Sequence, residues 1–286
     1  MILLKKLMLV MCGLLLFAAP ARSAEIQSRF AKFGDIKVHY LERGKGDQAL
    51  VFVHGWTCSA EFWKPQLNDF PALRVIAVDL AGHGQSDKPH VSYTMDYLAR
   101  SIEAVLQDAK VKHAVLVGHS MGTPVVRQFY RLFPDQTAGI VIVDGLLRML
   151  FPKEQMEQFM APLRTNYKDA ASRIVDGIVA QVKDDKLKAE IRTGMLATPD
   201  YVGISAMEGM ADEKIYSPDK INVPVLAVLA KSPFWTPDTE TFLRSLAPNL
   251  EFVMWDEVSH FLMMEKPQEF DQTVQGFLTK NKLLSK

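Results

Sequence analysis

Short apolar runs alternate along most of the chain with longer segments whose apolar residues recur with the period of an α-helix. A short, continuous apolar run between turn residues is typical of a strand that is buried on both faces. Strands and helices that alternate in this way form a mostly parallel sheet with helices on both faces. The pattern therefore predicts an α/β fold, with strands at residues 49–53, 75–78, 114–117, 140–143, 225–229 and 252–254, and helices near residues 60–69, 94–109, 121–133, 239–246 and 267–278.

Two segments depart from this alternation. Residues 29–41 alternate more weakly around a Gly-Asp pair, which predicts an antiparallel hairpin at the edge of the sheet. Residues 146–217 lack strand-like runs and have methionine and branched apolar residues at helical spacing, which predicts an inserted helical cap. The cap would separate two core segments, residues 25–145 and 218–286. Its methionines suit either an adaptable pocket or simple packing against the core, and we favour packing.

The N-terminus has the pattern of a secretory signal peptide. Lys5 and Lys6 precede an apolar run at residues 7–19, which small residues follow up to residue 24. This run is shorter than the roughly 20 residues that a membrane-spanning helix needs. The sequence therefore predicts a signal peptide at residues 1–24, with cleavage within residues 21–24. We expect a secreted or periplasmic protein without stable membrane insertion after cleavage.

Charge and cysteine content narrow the classes of partner. Lysine plus arginine and aspartate plus glutamate number 33 each, and no basic run stands out, which disfavours a nucleic-acid partner. Removal of the signal peptide would leave Cys58 as the single cysteine, so an internal disulfide is not possible. The histidines are scattered and form no pair with ligand spacing. We therefore expect neither a metal ion nor an organic cofactor.

A candidate nucleophile lies in the segment Gly-His-Ser-Met-Gly at residues 118–122. The segment directly follows a predicted strand and directly precedes a predicted helix. In that context the serine of a Gly-x-Ser-x-Gly motif lies on a tight turn, where the glycines permit close backbone packing and the hydroxyl stays exposed. The motif and its context together predict that Ser120 is the nucleophile.

A serine hydroxyl is a weak nucleophile until a base accepts its proton. His260 is the best candidate, because it follows the last predicted strand in a loop that can place the imidazole over Ser120. His39 falls on the predicted edge hairpin, and His119 is expected to point away from its neighbour Ser120. The sequence therefore predicts His260 as the general base.

Acyl transfer to a serine passes through a tetrahedral oxyanion that backbone N–H groups stabilise. Met121 follows the nucleophile at the start of a helix, and Trp56 lies in the loop after the strand at residues 49–53. We expect these two residues to supply the N–H donors of an oxyanion hole. Residues 79–87 are expected to form an ordered loop of structural importance at the same edge of the sheet.

These motifs together resemble those of the α/β-hydrolase superfamily, in particular its esterase, lipase and carbon–carbon hydrolase branch with a helical cap. The similarity rests on residues 54–56, 82–87, 118–122 and 259–261, which follow each other in the family's order. It implies the α/β-hydrolase fold, a mostly parallel central sheet with an inserted helical cap. It also implies the roles of nucleophile for Ser120 and base for His260.

The position of the third catalytic residue departs from the family pattern. Members usually carry Gly-x-x-Asp after the strand that corresponds to residues 225–229, whereas this chain reads Ala-Lys-Ser-Pro at residues 230–233. Asp144, at the end of the strand at residues 140–143, is the candidate acid that we favour. Asp238, farther along the loop after residue 233, is the alternative.

The candidate nucleophile, base and oxyanion donors together favour a serine hydrolase. We expect it to cleave a small or medium, apolar carboxylic ester through an acyl-enzyme intermediate. A carbon–carbon bond hydrolase or a lactonase of the same fold is an alternative, because the cap selects the substrate. A ligand-binding or sensory protein without turnover is a further alternative, since one fold can carry many functions. Ser120, His260 and the two oxyanion donors favour the enzyme.

Overall fold

The computed structural model describes residues 25–149 and 151–284. The predicted signal peptide at residues 1–24 lies outside the described residues. Within the described part of the chain, none of the helices has the length and apolar character needed to cross a bilayer.

A single eight-stranded sheet forms the centre of the described structure. In chain order its strands are β1 (Gln27–Phe33), β2 (Ile36–Arg43), β3 (Gln48–Val53), β4 (Val75–Val78), β5 (His113–His119), β6 (Thr137–Val143), β7 (Val225–Ala230) and β8 (Leu250–Trp255). Their order across the sheet is β1-β2-β4-β3-β5-β6-β7-β8. Strands β3 to β8 are mutually parallel, and β1 and β2 form the predicted antiparallel edge hairpin. The predicted fold class is confirmed.

Helices of the core follow the strands, as expected for a parallel sheet. Before β6 they are α1 (Lys64–Asp69), α2 (Met95–Ala109) and α3 (Gly122–Leu132), and after β7 they are α8 (Thr239–Leu246), α9 (Leu262–Glu265) and α10 (Pro267–Lys280). The helix predicted near residues 60–69 begins instead as a 3-10 turn at Ala60–Trp63 and continues as α1. A proline in the first turn of α1 favours that position for the start of the α-helix.

The segment between β6 and β7 contains helices and no strand in its described residues. Its helices are α4 (Lys153–Thr165), α5 (Tyr167–Ile178), α6 (Asp185–Met195) and α7 (Asp200–Met210), followed by a 3-10 turn at Glu213–Tyr216. Met160, Met195 and Met207 are buried, which agrees with a packing role. Met160 also lines a cavity of about 210 Å³ together with Met149 and Met156. The methionines therefore both pack and line a cavity.

Asp79, directly after β4, holds several elements together at the carboxyl edge of the sheet. Its carboxylate accepts hydrogen bonds from the backbone N–H of Ala60 at 2.6 Å and of Gln85 at 2.8 Å, and from His39 Nδ1 at 2.7 Å. Burial opposes a charge on Asp79, but these hydrogen bonds outweigh it and lower the pKa of the carboxyl group. A Cβ atom on Gly84 would lie 2.1 Å from this carboxyl group, so only glycine fits there. The loop at residues 79–87 is thereby ordered.

A buried carboxyl group lies where α10 packs against α1. Asp271 on α10 is 6% exposed. Its carboxyl group lies beside the side chains of Asp69 and Gln66 on α1. Burial, and next the neighbouring Asp69, raise the pKa of Asp271 to about 8. Because the unfolded chain ionises near the ordinary value of 3.8, the folded state loses stability as the pH rises between these two values.

The substitution Asp271→Asn should therefore stabilise the protein at neutral and alkaline pH. We expect its gain in free energy of unfolding to be larger at about pH 8 than at about pH 4, by on the order of 3 kcal/mol. Thermal and urea unfolding at both pH values measure this difference. Asp69→Asn is the matched control and should give a smaller dependence on pH, because Asp271 stays buried. An equal effect of Asp271→Asn at both pH values would contradict the assignment.

Candidate active site

Ser120 lies on a sharp turn between β5 and α3. Its φ angle is 52°, in the left-handed region that residues other than glycine seldom adopt. The backbone N–H of Ser120 donates a hydrogen bond of 2.9 Å to the carbonyl of Val143, at the end of the neighbouring strand β6. Strained backbone of this kind is concentrated at functional sites, where the surrounding structure holds it in place. The turn leaves Ser120 partly exposed at the carboxyl edge of the sheet.

Close backbone packing explains the two glycines that flank this turn. A Cβ atom on Gly118 would lie 2.5 Å from the carbonyl oxygen of Gly122. A Cβ atom on Gly122 would lie 2.5 Å from the carbonyl oxygen of Val53 on β3. Any side chain at either position would push α3 away from the sheet. The Gly-x-Ser-x-Gly pattern is therefore a packing requirement of the strand–turn–helix geometry.

The structure brings His260 and Asp144 together. His260 lies in the loop between β8 and α9, and its Nδ1–H donates a hydrogen bond of 2.7 Å to Asp144 Oδ2. Asp144 directly follows β6 in the left-handed conformation, with φ at 44°. The Asp144 side chain is 9% exposed and that of His260 25% exposed. The favoured candidate acid thus orients the candidate base, and the hydrogen bond at Nδ1 leaves Nε2 to act as the proton acceptor.

Two further donors reach the other carboxylate oxygen of Asp144. The backbone N–H of Ala230, the last residue of β7, donates to Oδ1 at 2.8 Å. The indole N–H of Trp235, in the loop after β7, donates to the same oxygen at 3.2 Å. A buried carboxylate requires such donors to remain charged. Trp235 is a site residue that the sequence does not reveal, although it lies in the loop where the family usually carries its acid.

The alternative acid, Asp238, is not hydrogen-bonded to His260. Its carboxylate accepts two hydrogen bonds of 2.8 Å each from the guanidinium group of Arg148. The side chain is 62% exposed, and the bonds from Arg148 and then from the Thr236 hydroxyl lower its pKa. The structure therefore places Asp238 in a surface ion pair.

His119 anchors the loop that carries His260. Its Nε2–H donates a hydrogen bond of 2.8 Å to the backbone carbonyl of His260, and the two imidazole rings lie 4.6 Å apart. Burial, and next the proximity of His260, lower the pKa of His119 well below its ordinary value and keep it neutral. The sequence assigns His119 no role, because its partner lies 141 residues away along the chain.

Glu265 holds the same loop from its other side. Its carboxylate oxygen Oε1 accepts a hydrogen bond of 2.7 Å from the backbone N–H of Ser259, and also one from the Ser259 hydroxyl. The Ser259 hydroxyl oxygen in turn accepts the N–H of Phe261 at 3.2 Å. The backbone on both sides of His260 is therefore fixed by hydrogen bonds.

The loop that contains Trp56 lies directly against Ser120. A Cβ atom on Gly55 would lie 3.0 Å from Ser120 Cβ. The Trp56 side chain is directed to the segment between β6 and β7, where its indole N–H donates to the carbonyl of Gly203 at 2.8 Å. Trp56 and Met121 both lie outside the helices and strands. Their backbone N–H groups donate no hydrogen bond to another described residue. Both are thus available to stabilise negative charge beside Ser120.

Within the described residues, Ser120 Oγ and His260 Nε2 are not hydrogen-bonded to each other. His260 is instead linked to the Ser120 turn through His119, the residue that precedes the serine. Hydrogen bonds between a catalytic nucleophile and its base are often long without substrate and shorten in the reactive complex. The Asp144–His260 hydrogen bond is therefore already formed, whereas a bond between Ser120 and His260 is not.

A second Ser–His–Asp chain involves the antiparallel hairpin of β1 and β2. Ser28 Oγ is 2.8 Å from His39 Nε2, and His39 Nδ1 is 2.7 Å from Asp79. Ser28 lies inside the regular edge strand β1, without the tight turn and helix start that expose Ser120 and supply N–H donors. We therefore interpret this chain as structural. Among the residues that the structure describes, no cluster of His, Cys, Asp and Glu is arranged to hold a metal ion.

Comparison with known proteins identifies the family to which the chain belongs. The family model for the alpha/beta hydrolase fold matches residues 48–202. The chain belongs to the alpha/beta hydrolase family. The hydrolase is 35% identical over 242 residues to the AB hydrolase superfamily protein YisY of Bacillus subtilis, which covers 80% of this chain and 90% of that protein.

Two further similarities extend over most of the hydrolase. It is 26% identical to a non-heme chloroperoxidase of Streptomyces lividans, over 84% of this chain and 95% of that protein. A solved structure of a thermophilic esterase from Thermogutta terrifontis has a TM-score of 0.77 at 23% identity, and covers 90% of this chain and 99% of that chain. The esterase supports the fold, since identity at this level carries no substrate assignment.

Substitution of the two candidate acids separates their roles. We expect Asp144→Asn to lower kcat by about 10²- to 10⁴-fold, because the amide preserves shape but cannot stabilise the imidazolium of His260. Asp238→Asn removes an exposed ion pair and should change kcat by less than about twofold. Steady-state kinetics of both variants on one chromogenic ester measure the difference. A large loss in Asp238→Asn with little change in Asp144→Asn would reverse the assignment.

Proposed function

We propose that this hydrolase cleaves a small or medium carboxylic ester through an acyl-enzyme intermediate on Ser120. The observation that carries the proposal is the 2.7 Å hydrogen bond from His260 to the buried Asp144, next to the left-handed turn that exposes Ser120. This combination provides an oriented base beside a serine with nearby N–H donors. A protein that only binds a ligand would not need a strained serine and an oriented base together.

In the proposed reaction, His260 Nε2 accepts the proton of the Ser120 hydroxyl as Oγ attacks the carbonyl carbon of the ester. The oxygen of that carbonyl becomes an oxyanion, which the N–H groups of Trp56 and Met121 stabilise. Asp144 stabilises the imidazolium that forms. The imidazolium then gives its proton to the departing alcohol, and the acyl group remains on Ser120.

Deacylation repeats these steps with water as the nucleophile. His260 removes a proton from water, the hydroxide attacks the acyl carbon, and the same N–H groups stabilise the second oxyanion. The carboxylic acid leaves as Ser120 recovers its proton from His260. A lactone reacts in the same way, with its alcohol still attached to the acid, so lactones belong in the assay.

Aromatic side chains near Asp144 support an apolar substrate. Phe151 and Phe234 are 44% and 43% exposed, and their rings lie 6.3 Å apart. Phe234 in turn packs against Trp235, at 5.1 Å, which contacts Asp144. An apolar acyl or alcohol group could cover part of this surface on binding.

As part of the same proposal, the segment at residues 1–24 directs the enzyme to the periplasm or the exterior.

A fluorophosphonate probe should label Ser120 covalently, because an activated serine with oxyanion donors attacks such electrophiles. Ser120→Ala should abolish labelling of the peptide that contains residue 120, and His260→Ala should slow labelling by at least about 100-fold. Mass spectrometry of the digested protein locates the label. Ser28→Ala is the matched control and should be labelled like the wild type. Equal labelling of wild type and His260→Ala would exclude His260 as the base.

A substrate panel should show hydrolysis of p-nitrophenyl esters with short or medium acyl chains. Lactones and vinylogous diketones, assayed on the same preparation, test the lactonase and carbon–carbon hydrolase alternatives. We expect kcat/KM to be highest for an ester. A preparation that is labelled at Ser120 but prefers the diketone would overturn the ester assignment. A folded protein that hydrolyses none of them would favour a binding function.

A further inference from the structure

The loop after β7 supports the acid instead of supplying it. In the family pattern this loop usually carries the acid, whereas here Asp144 comes from the end of β6. Ala230 and Trp235 flank the start of the loop, and both donate hydrogen bonds to Asp144 Oδ1, at 2.8 and 3.2 Å. The oxygen that they bind is not the one that contacts His260. One oxygen of the carboxylate therefore binds His260, and the other binds the two N–H donors of the β7 end and loop.

We propose that Trp235 is a positioning residue for the Asp144–His260 pair, an inference that rests on the proposed function. Asp144 can rotate about its Cβ–Cγ bond, and only one orientation of the carboxylate plane presents an oxygen to His260. The N–H groups of Ala230 and Trp235 select that orientation by binding Oδ1 from the opposite side. Trp235 contacts neither the nucleophile nor the reacting atoms and acts through the carboxylate.

The surroundings of Trp235 make its position well defined. Its ring is partly buried against the core, and its backbone N–H donates to the carbonyl of Ser232 at 3.3 Å. Lys231, at the start of the loop, donates its N–H to the carbonyl of Trp255 on β8 at 2.8 Å. At the far end, Asp238 is held by Arg148. Packing of the ring against the core and the two backbone hydrogen bonds thus fix the segment that presents the indole to Asp144, whereas the exposed ion pair at Asp238 adds little.

The charge of Asp144 makes this hydrogen bond important. Asp144 is 9% exposed, so water provides little of the stabilisation that its negative charge needs. Hydrogen bonds to charged groups are stronger than those between neutral groups. Loss of the Trp235 donor would leave the carboxylate freer to rotate. Its negative charge would then be stabilised by Ala230 and His260 alone. The consequences should therefore appear at His260 and not in substrate binding.

The experiment uses Trp235→Phe, which keeps an aromatic ring but removes the N–H donor. We expect kcat to fall about tenfold, the loss typical of one hydrogen bond to a charged group, with KM changed less than about twofold. The acidic limb of the kcat/KM profile should move to higher pH, because a carboxylate with fewer donors attracts the imidazolium proton more strongly. A residue that merely packs would not shift this limb.

Two controls separate the hydrogen bond from general packing of the loop. Phe234→Leu alters the neighbouring ring, which contacts Trp235 but has no donor, and should leave the pH profile unchanged. In an Asp144→Asn background, Trp235→Phe should cause less than about a twofold further loss, because the charge through which it acts is absent. An unchanged kcat in Trp235→Phe overturns the proposal. So does an equal loss in both backgrounds, or the same pH shift in Phe234→Leu.

A readout without turnover distinguishes failure of this proposal from failure of the proposed function. The His260 Nδ1–H that binds Asp144 should give a low-field proton NMR signal, assigned by its loss in His260→Ala. Trp235→Phe should shift or broaden this signal, whereas Phe234→Leu should not. Fluorophosphonate labelling of wild-type Ser120 tests the proposed function separately. If wild type is not labelled, the NMR signal alone decides, and an unchanged signal in Trp235→Phe overturns the positioning role.

Discussion

The parallel alignment of six strands is the constraint on which the rest of the structure depends. Because strands β3 to β8 all end at one edge, the residues that follow them meet there although they are far apart in the chain. Ser120 follows β5, Asp144 follows β6 and the His260 loop follows β8. The backbone itself reinforces this convergence, since Ser120 donates its N–H to Val143 at the end of β6.

Buried charge then determines which polar groups this edge must contain. Asp144 and Asp79 are both carboxylates at the ends of strands, and both are almost fully buried. Each accepts three hydrogen bonds, one from a histidine and two from N–H groups of neighbouring segments. At Asp79 the bonds order a loop. At Asp144 the histidine is linked through His119 to the turn of the partly exposed Ser120, so the same arrangement forms a candidate catalytic pair.

The two aspartates that compete for the role of acid show how context separates similar residues. Asp144 is enclosed at the end of a rigid strand, so its orientation is set by the sheet and by the loop after β7. Asp238 lies on the surface, where Arg148 satisfies it. Neither environment is visible in the local sequence, because Arg148 lies 90 residues before Asp238 and His260 lies 116 residues after Asp144.

Local pattern in the sequence determined the strands, most of the helices, the edge hairpin and the turn that exposes Ser120. These features follow from short-range rules: the period of apolar residues, and glycines where the backbone of the turn packs closely against β3 and α3. Only the tertiary structure decided that Asp144 and not Asp238 meets His260, and that Trp235, His119 and Glu265 hold this pair in place. The physical reason is that each of these contacts is a hydrogen bond that involves a loop residue. The conformation of such a loop depends on the packing of the whole sheet edge and not on the residues beside it in the sequence.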